Sequence, residues 1–278
     1  MDALGFLQFD ADFSSPRIIA AYDELPLWSA MFGLLLLDEV PLTRVGTALD
    51  VGCGTGFPLI ELAERLGSGA RVHGLDPWSA ALARAAEKIA SRDTPNVTLH
   101  EGSASAMPFA DATFDLIVSN LGVNNFEDRA GSIRECRRVA RSGAVIALTT
   151  NLQGHMQELY AMFDEVLSGS DAGDARRRLQ EHVGHRATVA SVRDLLENGG
   201  FSVTRVVERT KPMRFANGTA LFNHHFIKLG FLDAWKKVVP DREAEVFTHL
   251  RRRLDEAAAT IGELALTIPM AYVEAVAR

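Results

Sequence analysis

The stretch Ala48-Leu49-Asp50-Val51-Gly52-Cys53-Gly54-Thr55-Gly56-Phe57-Pro58 constrains this chain more than any other part of it. An apolar run carrying Asp50 meets three glycines at alternate positions, and the apolar-periodic run Leu59 to Leu66 continues from them. That order reads as a strand, a tight turn and a helix. The turn is stripped of side chains, so a ligand can lie against the backbone and face the helix N-terminus. A nucleotide-like cofactor is implied. A dinucleotide fingerprint would place its third small residue at position 57, which is Phe. A P-loop would close on Gly-Lys-Ser/Thr, and no Lys stands near. The spacing therefore disfavours both a nicotinamide dinucleotide and ATP.

Further segments follow in order. Val72-His73-Gly74-Leu75-Asp76 reads as a second strand ending in an acidic residue, twenty positions beyond Gly56. The segment Gly102 to Phe109 and the apolar run Phe114 to Asn120 come next. Glu135 to Val139, with the turn Ser142-Gly143-Ala144, precedes a fifth strand from Val145 to Thr149.

Read as D-x-G-C-G-T-G, the first segment resembles motif I of the class I S-adenosylmethionine-dependent methyltransferases, and the later segments are similar to that family's following motifs. The resemblance spans residues 45 to 150, with weaker continuation towards the C-terminus. It implies an α/β fold, Rossmann-like and doubly wound, with a mostly parallel seven-stranded sheet, an antiparallel last strand inserted beside the fifth, and helical cap insertions. The implied cofactor is S-adenosyl-L-methionine. On the same analogy, Gly52, Cys53, Gly54, Thr55 and Gly56 approach its amino acid tail and ribose, and Asp50 orients the turn or favours the cationic end. Asp76, followed by Pro77, takes the ribose hydroxyls; Ser103, Ala104 and Ser105 lie beside the adenine; Asn120 and Leu121 end the fourth strand near the methyl group. Tyr22 either covers the cofactor's carboxylate or packs in a core. Asn124 and Asn125 either contact substrate or only hydrogen-bond their loop.

The organisation along the chain follows the alternation of strand and helix. Residues 1–44 form an N-terminal helical cap segment, with Pro16 to Leu37 helical apart from a break at Pro26. Residues 45–151 are the cofactor-binding α/β core. Residues 152–187 form a helical lid insertion, with a loop from Ser168 to Gly173, and residues 188–209 resume the core as a helix and the strand Phe201 to Glu208. Residues 210–262 form a second helical insertion, rich in aromatic side chains, that caps the substrate. Residues 263–278 hold the last strand, where Pro269 suits an irregular or edge position.

Composition narrows the function classes. A net charge of −7 disfavours a protein that tracks nucleic-acid phosphates, and the clusters Arg176-Arg177-Arg178 and Arg251-Arg252-Arg253 read as solvated helix faces. The run Met31 to Leu37 is too short to span a bilayer, so no membrane partner is expected. Two cysteines, Cys53 and Cys136, and the lack of a secretory signal pattern point to a cytoplasmic protein without disulfides.

Methyl transfer is an in-line displacement at an activated carbon, so placement and exclusion of water are the main needs. A general base is needed only where the acceptor holds a proton. His155, His224 and His225 are the candidates, although histidines so placed are more often packed or surface residues. His182 and His185 have spacing compatible with metal ligation, but no carboxylate or thiol motif completes a site, so no metal is assigned. Phe222 and Phe226 are placed at the substrate. The leading expectation is methyl transfer to a small organic molecule at O, N or C. The alternatives are a peptide or protein side chain as acceptor, a nicotinamide-dependent oxidoreductase, and a binding module without turnover; a homodimer contact through the insertions is also compatible.

Overall fold

A computed structural model describes residues 4–24, 28–168 and 173–278. The expected break at Pro26 and the loop positions 169–172 lie outside the described residues. In chain order the elements are α1 (Pro16–Glu24), α2 (Ser29–Glu39), β1 (Thr47–Val51), α3 (Leu59–Leu66), β2 (Arg71–Asp76), α4 (Ser79–Ser91), β3 (Val97–Glu101) and β4 (Phe114–Asn120). They continue with α5 (Arg129–Val139), β5 (Ala140–Asn151), α6 (Gln157–Ser168), α7 (Gly173–Gly184), α8 (Val189–Asn198), β6 (Phe201–Phe215) and α9 (Gly218–Asn223). After α10 (His225–Ile227) and a π-helical turn (Lys228–Leu232) come α11 (Asp233–Lys236), α12 (Glu243–Ile261) and β7 (Leu264–Ala277).

The seven strands form one sheet in the order β3-β2-β1-β4-β5-β7-β6. β1 is buried along its whole length and β4 at all but one position, the pattern of strands covered on both faces. β1 pairs in parallel with β2 on one side and β4 on the other, with Val51 opposite Leu75 and Asp50 opposite Val118. The chain therefore leaves β1 towards one half of the sheet and returns on its other side at β4. The carboxyl ends at this reversal are where open α/β sheets hold their ligands.

The chain divides into two compact units. One comprises residues 13–150, 187–208 and 270–278; the other comprises residues 1–12, 151–186 and 209–269. The N-terminal stretch is thus shared out, with α1 and α2 grouped in the unit that contains β1 to β4. In that unit the apolar run of α2 is a buried helix, with Phe32, Leu35, Leu36 and Leu37 inside. Asp23 fixes α1 to α4 through Arg84 at 2.9 Å and Lys88 at 2.5 Å.

The second unit is helical with an aromatic core. Phe6 stacks on Phe222 with centroids 4.8 Å apart, and Phe247 meets Phe222 edge-on at 5.5 Å. Trp235 is fully buried, and its indole N–H donates to Tyr160 Oη at 3.1 Å. The arginine clusters are only partly solvated faces. Arg252 and Arg253 face Glu256 and Glu165, whereas Arg178 donates to the Val238 carbonyl and Arg251 turns towards Thr219.

Two boundaries and the place of Pro269 differ from the sequence expectation. β5 starts at Ala140 rather than Val145, because Ala140 already pairs with Phe114; residues 141–144 then bulge, with Gly143 at φ +76°, before Val145 pairs with Leu116. β6 continues to Phe215, well past Glu208, through residues that are mostly exposed and so carry no apolar alternation to read. Pro269 sits on a strand flanked by β5 and β6 rather than at an edge, and its carbonyl accepts from the Leu152 amide at 3.0 Å.

One carboxylate pins the amino ends of the central strands. Asp115 Oδ2 accepts from the Gly46 and Thr47 amides at 3.0 and 2.9 Å, and Oδ1 accepts from Arg141 at 2.5 Å. Burial pushes its pKa up, but the hydrogen bonds from Arg141, Thr47 and Gly46 outweigh that and hold it low. Its contribution to stability is therefore full above the ordinary Asp pKa and is lost as pH falls through the depressed value. Asp115→Ala is expected to cost about 1.5–3 kcal/mol at neutral pH, from the loss of charge-assisted hydrogen bonds. Urea unfolding should show this deficit shrinking on acidification; a constant deficit at all pH would remove the ionic contribution.

Candidate cofactor site

The glycine turn hangs from β2. The amides of Gly52 and Cys53 both donate to the Leu75 carbonyl, at 2.8 and 3.2 Å, and the Gly56 amide donates to the Cys53 carbonyl at 2.9 Å. All three glycines have positive φ, at +80°, +50° and +97°. Their surroundings differ. A β-carbon at Gly52 would lie 3.1 Å from Gly122 Cα, and one at Gly56 would lie 2.9 Å from Ile60 Cδ1 and 3.2 Å from Ala85 Cβ. At Gly54 a β-carbon would meet no protein atom within 4 Å. Gly52 and Gly56 thus serve close packing, while the bare backbone of Gly54 faces open space in which a ligand can approach.

Asp76 ties this turn to the next one. Its Oδ2 accepts from the Gly54 amide and its Oδ1 from the Trp78 amide, both at 2.8 Å. The carboxyl group is buried, and desolvation raises its pKa against these two amides. Each oxygen retains a lone pair, so a diol can still be accepted. Pro77 beside it is exposed. Asp50 is completely buried, and burial, then the charge of Asp76, pushes it up to about 8 against the pull of the Leu59 amide. Burial raises both carboxyl groups, and the charge of Asp76 raises Asp50 further. A cationic ligand would favour their charged forms.

Tyr22 stands near Asp76. Its ring meets Trp78 edge-on at 5.4 Å, and burial followed by the charge of Asp76 raises its phenol pKa. Trp78 also packs against Phe13 and donates its indole N–H to the Phe13 carbonyl at 3.0 Å. The sequence reading names Tyr22 but misses its partners Phe13 and Trp78, although Trp78 stands only two positions after Asp76. Thr55 is buried and hydrogen-bonded to Asp23, which links the glycine turn to α1. Cys53 is buried, and desolvation, then the charges of Asp50 and Asp76, drive its thiol pKa up, so it is a packing residue rather than a nucleophile.

The end of β4 is held by its own side chains. Asn120 Nδ2 donates to the Ser29 carbonyl at 3.1 Å, and its Oδ1 accepts from Thr149 Oγ1 at 2.7 Å. Leu121 follows in a left-handed conformation, φ +64°. Asn124 Oδ1 accepts from Thr150 Oγ1 at 2.5 Å, whereas Asn125 is exposed. Ser103 and Ser105 are exposed on their loop with their hydroxyls 3.0 Å apart, and Ala104 lies between them half-buried. Sequence reading also missed Gly33 on α2. A β-carbon there would lie 2.2 Å from Phe57 and 3.3 Å from Asn120, so only glycine lets α2 lie this close to the turn and the β4 end.

The remaining candidates belong to the second unit. His155 is buried with its ring 5.5 Å from Phe231, and desolvation, then the charges of Arg186, His182 and His185, push its pKa down to about 2. His182 approaches Tyr160 Oη at 3.0 Å and is pushed down to about 4, mainly by burial. Among the described residues, no group of three or more His, Cys, Asp or Glu gathers as metal ligands would. His224 and His225 pack edge-on against Phe215 and Phe9, and burial lowers both pKa values. Phe222 is wholly enclosed in the aromatic core, and Phe226 is buried against Phe231. Phe222 therefore acts in packing here.

Comparison with known proteins identifies the family. A methyltransferase domain family matches residues 49–148, the span from β1 to β5. A demethylmenaquinone methyltransferase of Listeria monocytogenes serotype 4a is 31% identical over 185 residues, covering 62% of this chain and 78% of its own length. One of that name from Anoxybacillus flavithermus is 39% identical over 124 residues, 43% of this chain, and there the match spans about half, 52%, of the relative. A solved S-adenosylmethionine-dependent methyltransferase from Aquifex aeolicus shares the fold, with a TM-score of 0.54 and 23% identity over 69% of this chain and 92% of its own. The chain belongs to the class I S-adenosylmethionine-dependent methyltransferase family. Its cofactor is S-adenosylmethionine. No helix among the described residues is long and apolar enough to cross a membrane.

Two predictions follow from the glycines and from Asp50. Gly54→Ala should keep the fold, losing about 1–2 kcal/mol for a left-handed alanine, yet weaken S-adenosylmethionine binding at least about tenfold. Gly56→Ala should instead lower the melting temperature further, because its methyl group meets Ile60 and Ala85. Equal calorimetric affinity for Gly54→Ala and the wild type would remove Gly54 from the site. For Asp50, the folded chain keeps a proton that the unfolded chain gives up between about pH 4 and 8. The stability it contributes is full below the ordinary Asp pKa and declines as pH rises towards 8. Asp50→Asn should abolish that decline in the cofactor-free protein; parallel urea midpoints for both proteins from pH 4.5 to 8.5 would contradict the assignment.

Proposed function

We propose that the chain transfers the S-adenosylmethionine methyl group to an O, N or C atom of a small organic acceptor. The observation that carries the reading is the turn at Gly54, bare of protein atoms above its backbone and fixed by Asp76. On this reading Gly52 to Gly56 admit the tail and ribose against main chain, and Asp76 accepts the ribose hydroxyls while still holding the Gly54 and Trp78 amides. Asp50 faces the positive charge, and Tyr22 shields it from water. Ser103 to Ser105 border the adenine. Asn120 acts by position, holding α2 and β5 to the end of β4, and Leu121 borders the methyl donor. When bound, the cofactor supplies an activated methyl carbon, so the residues need only align the acceptor and exclude water.

A small acceptor is supported by the relatives, which are demethylmenaquinone methyltransferases, and by the aromatic make-up of residues 152–187 and 210–262, to which we assign acceptor choice. We place Asn124 and Asn125 among the acceptor contacts. His155, neutral far below physiological pH, is a poor proton acceptor. His224 and His225, with lowered pKa values, are neutral near pH 7 and are the better candidates where an acceptor needs a base.

The test is methyl-labelled S-adenosylmethionine incubated with the chain and either a low-mass metabolite fraction or a protein fraction. Label in a low-mass product, with S-adenosylhomocysteine formed one for one, is expected. Label confined to protein would select a side-chain acceptor, and binding without S-adenosylhomocysteine formation would reduce the chain to a binding module.

A further inference from the structure

The second unit contains a pocket of about 900 Å³ lined by Phe6 and Phe9, by Thr219 on α9, and by Lys228 and Arg251. Phe6 is its buried apolar wall, braced by the stack on Phe222. Two cations reach the pocket. Arg251 Nε is buried without a hydrogen-bond partner, and Nη1 has Thr219 Oγ1 at 3.5 Å. Lys228 holds Nζ 4.9 Å above the Phe9 ring. Among the described residues, neither is joined to a carboxylate, whereas the adjacent Arg252 and Arg253 both are. Asp255, one helical turn beyond Arg251, is occupied by Thr219, accepting its amide at 2.9 Å and its hydroxyl at 3.0 Å. Arg251 is half-exposed, and its buried Nε–H without an acceptor is costly to keep unless a ligand answers it.

We propose that this pocket binds a small aromatic carboxylic acid, with the carboxylate on Arg251 and Lys228 and the ring against Phe6 and Phe9. The chemistry fits a carboxylate better than a phosphate. The planar edge of a guanidinium matches two coplanar oxygens, and a single negative charge is repelled less by Asp255 than a double one. The volume lies in the range of small-molecule sites, and the phenyl side chains offer offset or edge contacts to an aryl body. The site lies within the second unit alone, so it stands or falls independently of methyl transfer.

The experiment uses the full chain with labelled arginine side chains and follows the Arg251 Nε–H resonance, assigned by its loss in Arg251→Lys. Naphthoate is titrated against its neutral counterpart naphthalenemethanol and against inorganic phosphate. Naphthoate should move that resonance saturably and bind at least about tenfold more tightly than the alcohol. Lys228→Gln, at a half-buried position that no core contact depends on, should weaken naphthoate at least about threefold and leave the calorimetric affinity for S-adenosylmethionine unchanged. Equal binding of acid and alcohol, phosphate acting at the same concentration as naphthoate, or full affinity in folded Lys228→Gln would each overturn the proposal.

Discussion

The cofactor end of the sheet depends on Asp76 accepting two backbone amides at once. Gly54 belongs to the turn after β1 and Trp78 to the turn after β2, and parallel pairing sets Val51 opposite Leu75 so that both turns leave at the same level. One carboxylate can therefore fix both. The same charge raises Asp50 and Tyr22, and it contributes to the inert Cys53 thiol. The arrangement is electrostatically incomplete on its own. On the proposed reading, a ligand with a fixed positive charge and a vicinal diol completes it.

Around that carboxylate, glycine has several separate uses. Gly54 leaves space to a ligand. Gly56 lets α3 and α4 approach each other, and Gly33 lets α2 lie on Phe57 and Asn120. Gly122 packs against the Val51 carbonyl and Ser119, where a β-carbon would stand only 2.7 Å from the former. Asn120 closes the arrangement by joining α2 to β5 through a single side chain. Substitutions at Gly33 or Asn120 would thus disturb the site without touching a ligand.

The strand, turn and helix at Ala48 to Leu66 were legible because three constraints coincide there: a fully buried strand, glycines at positive φ, and an amphipathic helix. The acidic end of β2 was legible for the same reason, since Asp76 closes an apolar strand. Other features leave no local trace. The bulge at residues 141–144 depends on Ala140 pairing with Phe114, a long-range event, and the length of β6 depends on neighbours rather than on its own charged residues. The role of Gly33 appears only when α2 meets Phe57. His155 and Phe222 read as site residues in sequence because a histidine after β5 and a phenylalanine in an aromatic insertion look alike whether packed or exposed; burial distinguishes them. Arg251 is the converse case, a residue of an apparently solvated triplet that turns inward.

The central claim is that the double hold of Asp76 is a cofactor cradle rather than a turn lock. A crystal structure of the chain with S-adenosylhomocysteine tests it most directly. The account predicts the ribose hydroxyls within about 3.2 Å of the Asp76 carboxylate, with the Gly54 and Trp78 amides still donating to it. A nucleoside bound elsewhere, or an Asp76 that keeps its two amides and makes no contact with the ribose, would contradict it.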